Sequence, residues 1–506
     1  MGIERGPGIQ WGRKQTVLAA TAIAALVAVN LVLVTRMSRP WPDEAMYIDP
    51  GVNLYLGHGF VTSTYVGQPA DRFFAGTPFY QVLVFAWLKV LGFSLTAVRS
   101  LDVVLVILSG VLVLATCIRA KLVTHWSSLL LLAMLLFSSH SLMLNLGSGR
   151  PDAVGVALLA AQFAFAFHPR RWLKIGGSFV VGFLAVFTGL QLAFFAFWCL
   201  VLLLVLFGRQ ILKTIVIPNF LGLGTGAVSL YLLLNWKGVW EIYVAKVALN
   251  SYQSRITGLG RGWGLKQYFG GLVDPGVILV ILSAVILSVM LYRRNRLKRG
   301  NPLLAGLAVG VLVPLLMGKV AVFPYYYSYL ALLPVAIGFC VELDQQWEVV
   351  QSEPRWQWRS LILPLIFAGL LGAPLSWFFA VVHWNTRAYQ PVEEFVRQSV
   401  RPDDIVYSEA VAYYAVRPFV KTAYFGEYIH YMSVPDKRTV NVLIGPPKDA
   451  KEDAHVIGGQ WRQTAEYRGP TNWATESIKH GTYGPGYHLV VYERVDANRT
   501  RPARTP

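Results

Sequence analysis

Charged side chains are scarce in this chain of 506 residues. Only 14% of the residues are Asp, Glu, Lys or Arg, whereas 55% are apolar. In soluble domains about a quarter of the residues are charged. The net charge of +18 would suit a nucleic-acid-binding protein, but the cations fall mostly in short clusters between long apolar runs. Such clusters are typical of topology determinants. The composition therefore predicts a polytopic membrane protein that lies in the lipid bilayer and binds no nucleic acid.

Cysteines and phosphate-binding motifs are also lacking. The three cysteines, Cys117, Cys199 and Cys340, lie in or at the ends of apolar runs, so no disulfide framework and no CxxC metal site can be read from them. The sequence has no internal repeat of fixed period, no P-loop and no Rossmann fingerprint. A glycine cluster, Gly222 to Gly226, lies inside an apolar run and predicts close packing of helices.

Long apolar runs predict about eleven transmembrane helices. The first run, Thr16 to Val34, follows Arg13-Lys14, but it is too long for a signal peptide and no A-x-A cleavage site follows it. We interpret it as a membrane anchor with a cytoplasmic N-terminus. The remaining runs cover residues 97–118, 123–146, 153–167, 172–187, 189–207, 212–235, 273–292, 302–318, 322–341 and 361–383.

The distribution of Lys and Arg agrees with this topology. With the N-terminus inside, every loop that is placed in the cytoplasm carries at least two cations, as the positive-inside rule requires. We therefore expect a multi-pass protein of the inner (cytoplasmic) membrane, with everything after about His383 on the extracytoplasmic side.

The predicted fold class is an α-helical polytopic membrane protein with a small C-terminal α/β domain outside the membrane. In this prediction residues 1–385 form the transmembrane domain, and its first external loop, 36–96, contains interfacial helices, among them Phe79 to Leu91. Residues 386–496 form the α/β domain, and 497–506 are a disordered tail. Helical spacing at Val392 to Val400, and turn signals around three short apolar segments, predict one helix and strands at Asp404–Tyr407, Val440–Ile444 and His488–Tyr492.

Polar and aromatic residues collect on the predicted outer face. Just after the first apolar run, Trp41-Pro-Asp-Glu-Ala-Met-Tyr47 contains the adjacent acids Asp43 and Glu44, and ionised side chains near lipid usually mark a functional site. The topology places on the same face the turn Gly149 to Asp152, the loop 236–272, Lys319 with Tyr325-Tyr326-Tyr327, and the C-terminal domain. This convergence predicts one outward cavity shared by acids, cations and phenols.

The segment Pro42-Asp-Glu-Ala-Met-Tyr47, followed by Gly57, Gly59 and Pro78, resembles the first external loop of the GT-C glycosyltransferases. The likeness is closest to the bacterial branch related to protein O-mannosyltransferases and the lipid A aminoarabinose transferase. Weaker likenesses are Arg150-Pro-Asp152, which opens the predicted fourth span, and Lys319 with Pro324 to Tyr327 near the outer end of a late span. The resemblance covers about residues 15–345. One departure is Gly76-Thr77, where several relatives have a Lys immediately before the Pro-Pro of the loop.

This resemblance implies an inverting, membrane-embedded glycosyltransferase that takes its sugar from a polyprenyl-phosphate-linked donor on the extracytoplasmic side. Such a transfer needs a carboxylate to accept the proton of the acceptor hydroxyl, and cations or hydrogen-bond donors to stabilise the departing phosphate. By similarity Asp43 is the general base, and Glu44 is second choice or orients an acceptor or a cation. The acceptor is a lipid, a glycan or a protein. Expected phosphate ligands are Lys319 and Arg150, then Arg72 and Arg99, with Tyr325 and Tyr326 as neutral donors; expected contacts of acceptor, sugar or metal are Asp152 and His58.

Structural roles compete with several of these assignments. Asp152 is equally suited to an ion pair with Arg150 at a helix start. The three tyrosines also fit an interfacial aromatic belt, and Lys319 a snorkelling cation. A lone loop histidine such as His58 is more often structural or solvated.

Metal dependence and two other functions stay open at this point. The first loop has no DxD motif, because Asp49 lies six residues beyond Asp43, so the sequence requires neither a divalent metal (Mg or Mn) nor another cofactor. A glycan polymerase or ligase also uses lipid-linked substrates, but the early Asp-Glu pair disfavours it. A transporter or flippase for a lipid-linked sugar predicts charges inside spans and two matching halves, whereas the charges here lie at one rim.

Overall fold

The computed structural model describes residues 12–64, 67–207, 211–256, 274–297, 301–314, 327–347, 355–473 and 486–495. Contacts divide the chain into two compact units. The first unit consists of Met1–Val32, Gly76–Tyr80 and Arg99–Phe378, and the second of Leu33–Ala75, Gln81–Val98 and Phe379–Pro506. The predicted domains 1–385 and 386–496 stay a prediction, and the predicted tail 497–506 lies outside the described residues.

Helices make up most of the described chain. In the first part they are α1 (Arg13–Met37), α2 (Pro42–Tyr55), α3 (Phe79–Leu91), α4 (Leu95–Arg119), α5 (Trp126–Ser138), α6 (His140–Met143), α7 (Asp152–Ala166), α8 (Arg171–Thr188), α9 (Leu190–Phe207), α10 (Ile217–Trp236), α11 (Trp240–Ile256), α12 (Pro275–Arg293) and α13 (Pro302–Leu307). They are followed by α14 (Tyr329–Gln345), α15 (Arg355–Leu370), α16 (Ala373–Val382), α17 (Gln390–Ser399), α18 (Tyr413–Val416), α19 (Val434–Thr439) and α20 (Pro447–Ile457).

Seven helical segments of the described chain are long and apolar enough to cross a membrane, or eight if the bent pair Trp126–Ser138 and His140–Leu146 forms one span. The seven segments are Arg13–Met37, Leu95–Arg119, Arg171–Thr188, Leu190–Phe207, Leu212–Trp236, Pro275–Arg293 and Arg359–Val382. They confirm the polytopic, membrane-embedded fold class. The predicted span 153–167 corresponds to a shorter apolar helix, as does the described part of 302–318. Because 302–318 ends and 322–341 begins outside the described residues, the number eleven stays a prediction.

Glycines bring α8 and α10 into close contact within the first unit. A Cβ atom added to Gly222 would lie 2.1 Å from the carbonyl oxygen of Phe179, and one added to Gly226 would lie 2.9 Å from that of Phe183. These positions therefore tolerate only a hydrogen as side chain. Gly224 lies on the exposed face, where an added Cβ would meet nothing within 4 Å. The close packing predicted from the glycine cluster is confirmed.

A five-stranded sheet in the second unit has the order β2-β1-β3-β5-β4. Its strands are β1 (Ile405–Ser408), β2 (Thr422–Phe425), β3 (Val442–Gly445), β4 (Trp461–Arg468) and β5 (His488–Arg494). β1 is parallel to both of its neighbours, whereas β5 is antiparallel to β3 and to β4. The predicted helix at 392–400 and three predicted strands are confirmed by α17, β1, β3 and β5; β2 and β4 have no counterpart among the predicted strands.

One face of this sheet is covered by a buried apolar cluster. Its members are Tyr407, Tyr428, Ile429, Met432, Val440, Leu443 and Ile457.

The strand order creates a crevice at the edge of the sheet. Because β1 lies between β2 and β3, the chain passes from β1 to β2 on one side and then back past β1 to β3 on the other. The carboxyl ends of parallel strands that part in this way form a crevice at the edge of the sheet.

Arg387 attaches the end of α1 to the segment that leads into the sheet. Its guanidinium donates to the carbonyl oxygens of Arg36, at 3.1 Å, and of Met37. In return Arg36 donates to the carbonyl oxygen of Arg387 at 2.8 Å and lies over the ring of Trp384. A cation at the C-terminus of a helix satisfies its last carbonyl groups and suits the helix dipole. The start of the first loop is thereby held in the second unit.

Candidate active site

The two adjacent acids lie in the first turn of α2. Trp41 is extended and Pro42 is the first helical residue, a position where the missing N–H of proline has no cost. The positive end of the helix dipole favours Asp43 and Glu44 in this turn. The two side chains have different surroundings, because Asp43 is partly exposed whereas Glu44 is 0% exposed.

Asp43 lines a cleft of about 60 Å³. The walls of this cleft are the first turn of α2, the loop after it and the carboxyl ends of β1 and β2, represented by Pro42, Asp43, Ala45, Met46, Thr64, Ala410, Phe425 and Gly426. Gly426 has φ +57, a value that favours glycine. An added Cβ there would meet nothing within 4 Å, so the cleft is open at this point. The carboxyl of Asp43 is the proton acceptor that this lining offers.

Glu44 is hydrogen-bonded to the C-terminal part of the chain. The hydroxyl of Tyr414 donates to Oε1 of Glu44 at 2.7 Å. Tyr414 is 2% exposed, and its ring stacks on that of Phe93 with centroids 5.6 Å apart. The buried carboxyl therefore has a hydrogen-bond donor, as a buried polar group requires.

A third acid of α2, Asp49, is 0% exposed and lies at the centre of a polar network. Its Oδ2 accepts hydrogen bonds from the side chains of Asn53 (3.1 Å) and Thr62 (2.8 Å) and from the backbone N–H of Ser63 (2.9 Å). Its Oδ1 accepts from the hydroxyl of Tyr413 at 2.8 Å and lies 3.5 Å from Nε of Arg417. Several donors and a counter-charge thus compensate the burial of this carboxylate.

The sequence analysis did not predict these contacts of Asp49 and Glu44. One local signal was available: Tyr413 and Arg417 are four residues apart, which places them on one face of a helix. Asp49 also precedes Pro50 inside α2. The pairing itself joins residues 364 positions apart, and no local pattern contains it.

His58 is bonded to the same arginine. Nη2 of Arg417 donates to Nδ1 of His58 at 2.8 Å and also contacts Oδ1 of Asn53. Burial, followed by the positive charge of Arg417, lowers the pKa of His58. The ring therefore stays neutral with Nδ1 as an acceptor, which is the structural role that a lone loop histidine often has.

Arg72, a predicted phosphate ligand, is exposed in the same unit. Its backbone carbonyl accepts a hydrogen bond from the side chain of Gln68 at 3.0 Å. Arg99, the weaker candidate, is 0% exposed and belongs to the first unit.

In the first unit Arg150 and Asp152 form a buried ion pair. Nε of Arg150 lies 2.7 Å from Oδ2 of Asp152, and the two side chains are 1% and 3% exposed. Asp152 begins α7, so the ion pair at a helix start, one of the two alternatives for this residue, is present. The guanidinium carbon of Arg150 is 5.9 Å from the ring centre of Tyr327. The preceding Gly149 donates its N–H to Oδ2 of buried Asp102 at 2.8 Å, which holds the turn in place.

The predicted site residues thus belong to two units. Asp43, Glu44, His58 and Arg72 are in the second unit, and Arg150 and Asp152 are in the first. Lys319, Tyr325 and Tyr326 lie outside the described residues. The predicted cavity shared by all of them stays a prediction. Within the described ranges, no group of three or more His, Cys, Asp or Glu side chains is placed to hold a metal ion.

Comparisons with known proteins give matches at the level of structure. No protein-family model matches the sequence, and no curated protein matches it. The arabinofuranosyltransferase AftD from Mycobacteria matches with a TM-score of 0.53 and 12% identity over 95% of this chain and 40% of that chain. The oligosaccharyltransferase of Archaeoglobus fulgidus matches with a TM-score of 0.42 and 11% identity over 87% of this chain and 72% of that chain.

The match to AftD decides the fold. This chain spans 40% of the length of AftD, and at 12% identity the likeness is one of architecture. AftD is a GT-C fold glycosyltransferase. The resemblance that the first external loop indicated is therefore confirmed at the level of the fold, and this membrane-embedded chain has the GT-C fold.

Proposed function

We propose that this protein is a glycosyltransferase that moves a sugar from a polyprenyl-phosphate-linked donor to an acceptor hydroxyl, with inversion. One observation carries the proposal: in a chain with the GT-C fold, Asp43 is a partly exposed acid that lines a cleft at the start of α2. The neighbouring acids Glu44 and Asp49 are 0% exposed. Of the three, Asp43 is thus the one that a substrate hydroxyl can reach.

In the proposed step the acceptor oxygen attacks the anomeric carbon of the donor sugar from the side opposite to the phosphate. A new carbon–oxygen bond forms, and the bond between the anomeric carbon and the phosphate oxygen breaks. The hydroxyl proton passes to the carboxylate of Asp43. The electron pair of the broken bond leaves with the polyprenyl phosphate, so the balance needs no redox cofactor and no metal.

The departing phosphate gains negative charge and needs cations or hydrogen-bond donors around it. We assign this role to Lys319 and Arg150, then to Arg72, with Tyr325 and Tyr326 as neutral donors. The ion pair with Asp152 holds the guanidinium of Arg150 in one orientation, which supports its assignment. We also assign to Asp152 and to His58, beside its structural role, a contact with the sugar or the acceptor.

The donor and acceptor classes follow from the same proposal. We assign the reaction to the extracytoplasmic side of the inner membrane, because the distribution of Lys and Arg predicts that side for the first loop and for the C-terminal domain. The acceptor is a lipid, a glycan or a protein with a free hydroxyl. Because AftD is an arabinofuranosyltransferase, pentosyl donors belong beside hexosyl donors in any test.

The deciding experiment uses purified protein in proteoliposomes and a panel of polyprenyl-phosphate hexoses and pentoses. We expect transfer from at least one donor, and Asp43→Asn should reduce it by about 10²- to 10⁴-fold, the usual contribution of a general base. Asp71→Asn is the matched control, since Asp71 is an exposed carboxylate of the same loop. Retention of turnover in Asp43→Asn would remove the assigned base. Absence of transfer from every donor would reject the function.

A further inference from the structure

Two adjacent tyrosines of the C-terminal sheet region reach two different acids of α2. The hydroxyl of Tyr414 donates to Glu44 at 2.7 Å, and the hydroxyl of Tyr413 donates to Asp49 at 2.8 Å. Their rings are perpendicular, with centroids 5.4 Å apart, so the two hydroxyls diverge. Glu44 and Asp49 are five residues apart on one helix, which separates them by about 7.5 Å along its axis. Two such points of attachment fix both the position and the rotation of α2.

The tyrosine rings have little freedom to move. Tyr413 and Tyr414 are 0% and 2% exposed. Tyr413 packs edge-on against Phe425 at 4.7 Å, and Tyr414 lies between Phe93 at 5.6 Å and Tyr389 at 6.1 Å. Close-packed aromatic rings hold one orientation. The two hydroxyls therefore hold fixed positions against α2.

The attachment of Glu44 determines the direction of Asp43. Consecutive residues of an α-helix are rotated by about 100° about its axis, so a helix whose Glu44 is held on one side must present Asp43 on another. In the structure that other side is the cleft. Phe425, which packs against Tyr413, is itself part of the cleft wall. The tyrosine pair that holds α2 is thus in contact with the wall of the cleft that Asp43 lines.

We infer that Tyr414 is a positioning residue for the transfer, acting through Glu44, and that Glu44 is a positioning acid and not a second base. This inference rests on the proposed function of Asp43. A base that is rotated away from the acceptor hydroxyl loses rate and leaves donor binding intact, because effective proton transfer and attack depend on alignment.

Two substitutions separate positioning from base catalysis. Tyr414→Phe keeps the ring and removes the hydroxyl. We expect kcat to fall about 10- to 100-fold at unchanged donor KM, because a small misplacement of a reacting group can cost about 10²-fold in rate. Glu44→Gln keeps an amide oxygen that accepts from Tyr414, so it should retain kcat within about tenfold, whereas Glu44→Leu should lose as much as Tyr414→Phe. A loss in Glu44→Gln as large as that in Asp43→Asn would overturn the inference, because it would make Glu44 a base.

A second readout is independent of sugar transfer. In a Cys199→Ser background, a cysteine introduced by Asp43→Cys reports the direction of this position through its rate of alkylation by a water-soluble maleimide. Tyr414→Phe should change this rate severalfold, because the first turn of α2 rotates. Tyr428→Phe is the matched control: Tyr428 is a buried tyrosine of the same unit that bonds the backbone of Ala70, and it should change neither kcat nor the rate.

The outcomes distinguish the two proposals. If no donor supports transfer and alkylation still depends on Tyr414, the proposed function fails, and only the control of the orientation of α2 by Tyr414 stands. If transfer occurs and Tyr414→Phe alters neither kcat nor alkylation, the positioning role is refuted. If Tyr414→Phe does not fold, the comparison of Glu44→Gln with Asp43→Asn decides.

Discussion

Replacement of Asp49 by asparagine tests whether the buried network holds α2 in place. An amide has one oxygen, and that oxygen can keep the three donors that now contact Oδ2 of Asp49. The NH₂ group must then face the hydroxyl of Tyr413 and the guanidinium of Arg417. Two donors would meet where an ion pair stood, and the charge of Arg417, which is 5% exposed, would lose its counter-charge.

The size of the effect follows from that buried charge. Removing one partner of a buried ion pair costs about 3–5 kcal/mol. The separation of 3.5 Å between Nε of Arg417 and Oδ1 of Asp49 favours the lower end, about 3 kcal/mol. A domain of 150–250 residues loses about 2–4 °C of melting temperature per kcal/mol, so Asp49→Asn should melt about 6–12 °C lower.

The assay is thermal unfolding of the detergent-purified protein followed by tryptophan fluorescence. Asp71→Asn, at an exposed acid of the same loop, should melt as the wild type does. Removal of both charges in Asp49→Asn with Arg417→Met should cost at least about 1 kcal/mol less than the sum of the single changes, because neither charge is then left alone. A melting temperature of Asp49→Asn equal to that of Asp71→Asn would refute the reasoning.

Two further predictions concern packing and pH. Gly222→Ala should destabilise the protein by about 1–3 kcal/mol, because the added methyl group forces α8 and α10 apart. Gly224→Ala is the control and should be neutral, since its Cβ atom meets nothing within 4 Å. Equal melting temperatures for the two variants would contradict the close packing. Burial, and then the Glu409 carboxyl, raise the pKa of Asp453 to about 8. The folded state thus keeps a proton that the unfolded state has released, so stability should fall as the pH rises from about 4 to about 8 and change little above it. Asp453→Asn should flatten this decline in a series of melting temperatures, and an unchanged slope would show that another group causes it.

Much of the fold was predictable because hydrophobic runs record burial in lipid directly. The core strands β1, β3 and β5 were predictable for a different reason, because they are short apolar segments flanked by turn signals and buried in the protein itself. β4 (Trp461–Arg468) was not, since this edge strand exposes most of its side chains and its polar sequence has no apolar alternation. β2 (Thr422–Phe425) has four residues, and its pairing with β1 comes from tertiary contacts.

The residues of the candidate site also differ in whether a local sequence pattern marks them. Asp43 could be named as a candidate from the sequence, because a local motif after an apolar run contains it, and its role as a base stays a prediction. Tyr413, Tyr414 and Arg417 were not, because their importance lies in distant partners. Sequence order separates these groups, and only the folded second unit brings them to α2.

That separation has a consequence for synthesis. Asp49 and Tyr413 are 364 positions apart, and a ribosome that adds about 5–20 residues per second needs roughly 20 to 70 s to bridge them. During this interval the nascent α2 carries acids whose tyrosine and arginine partners have not yet emerged. On the proposed function, catalytic competence should therefore arise late, when the final segment has closed on a helix that was translated near the beginning.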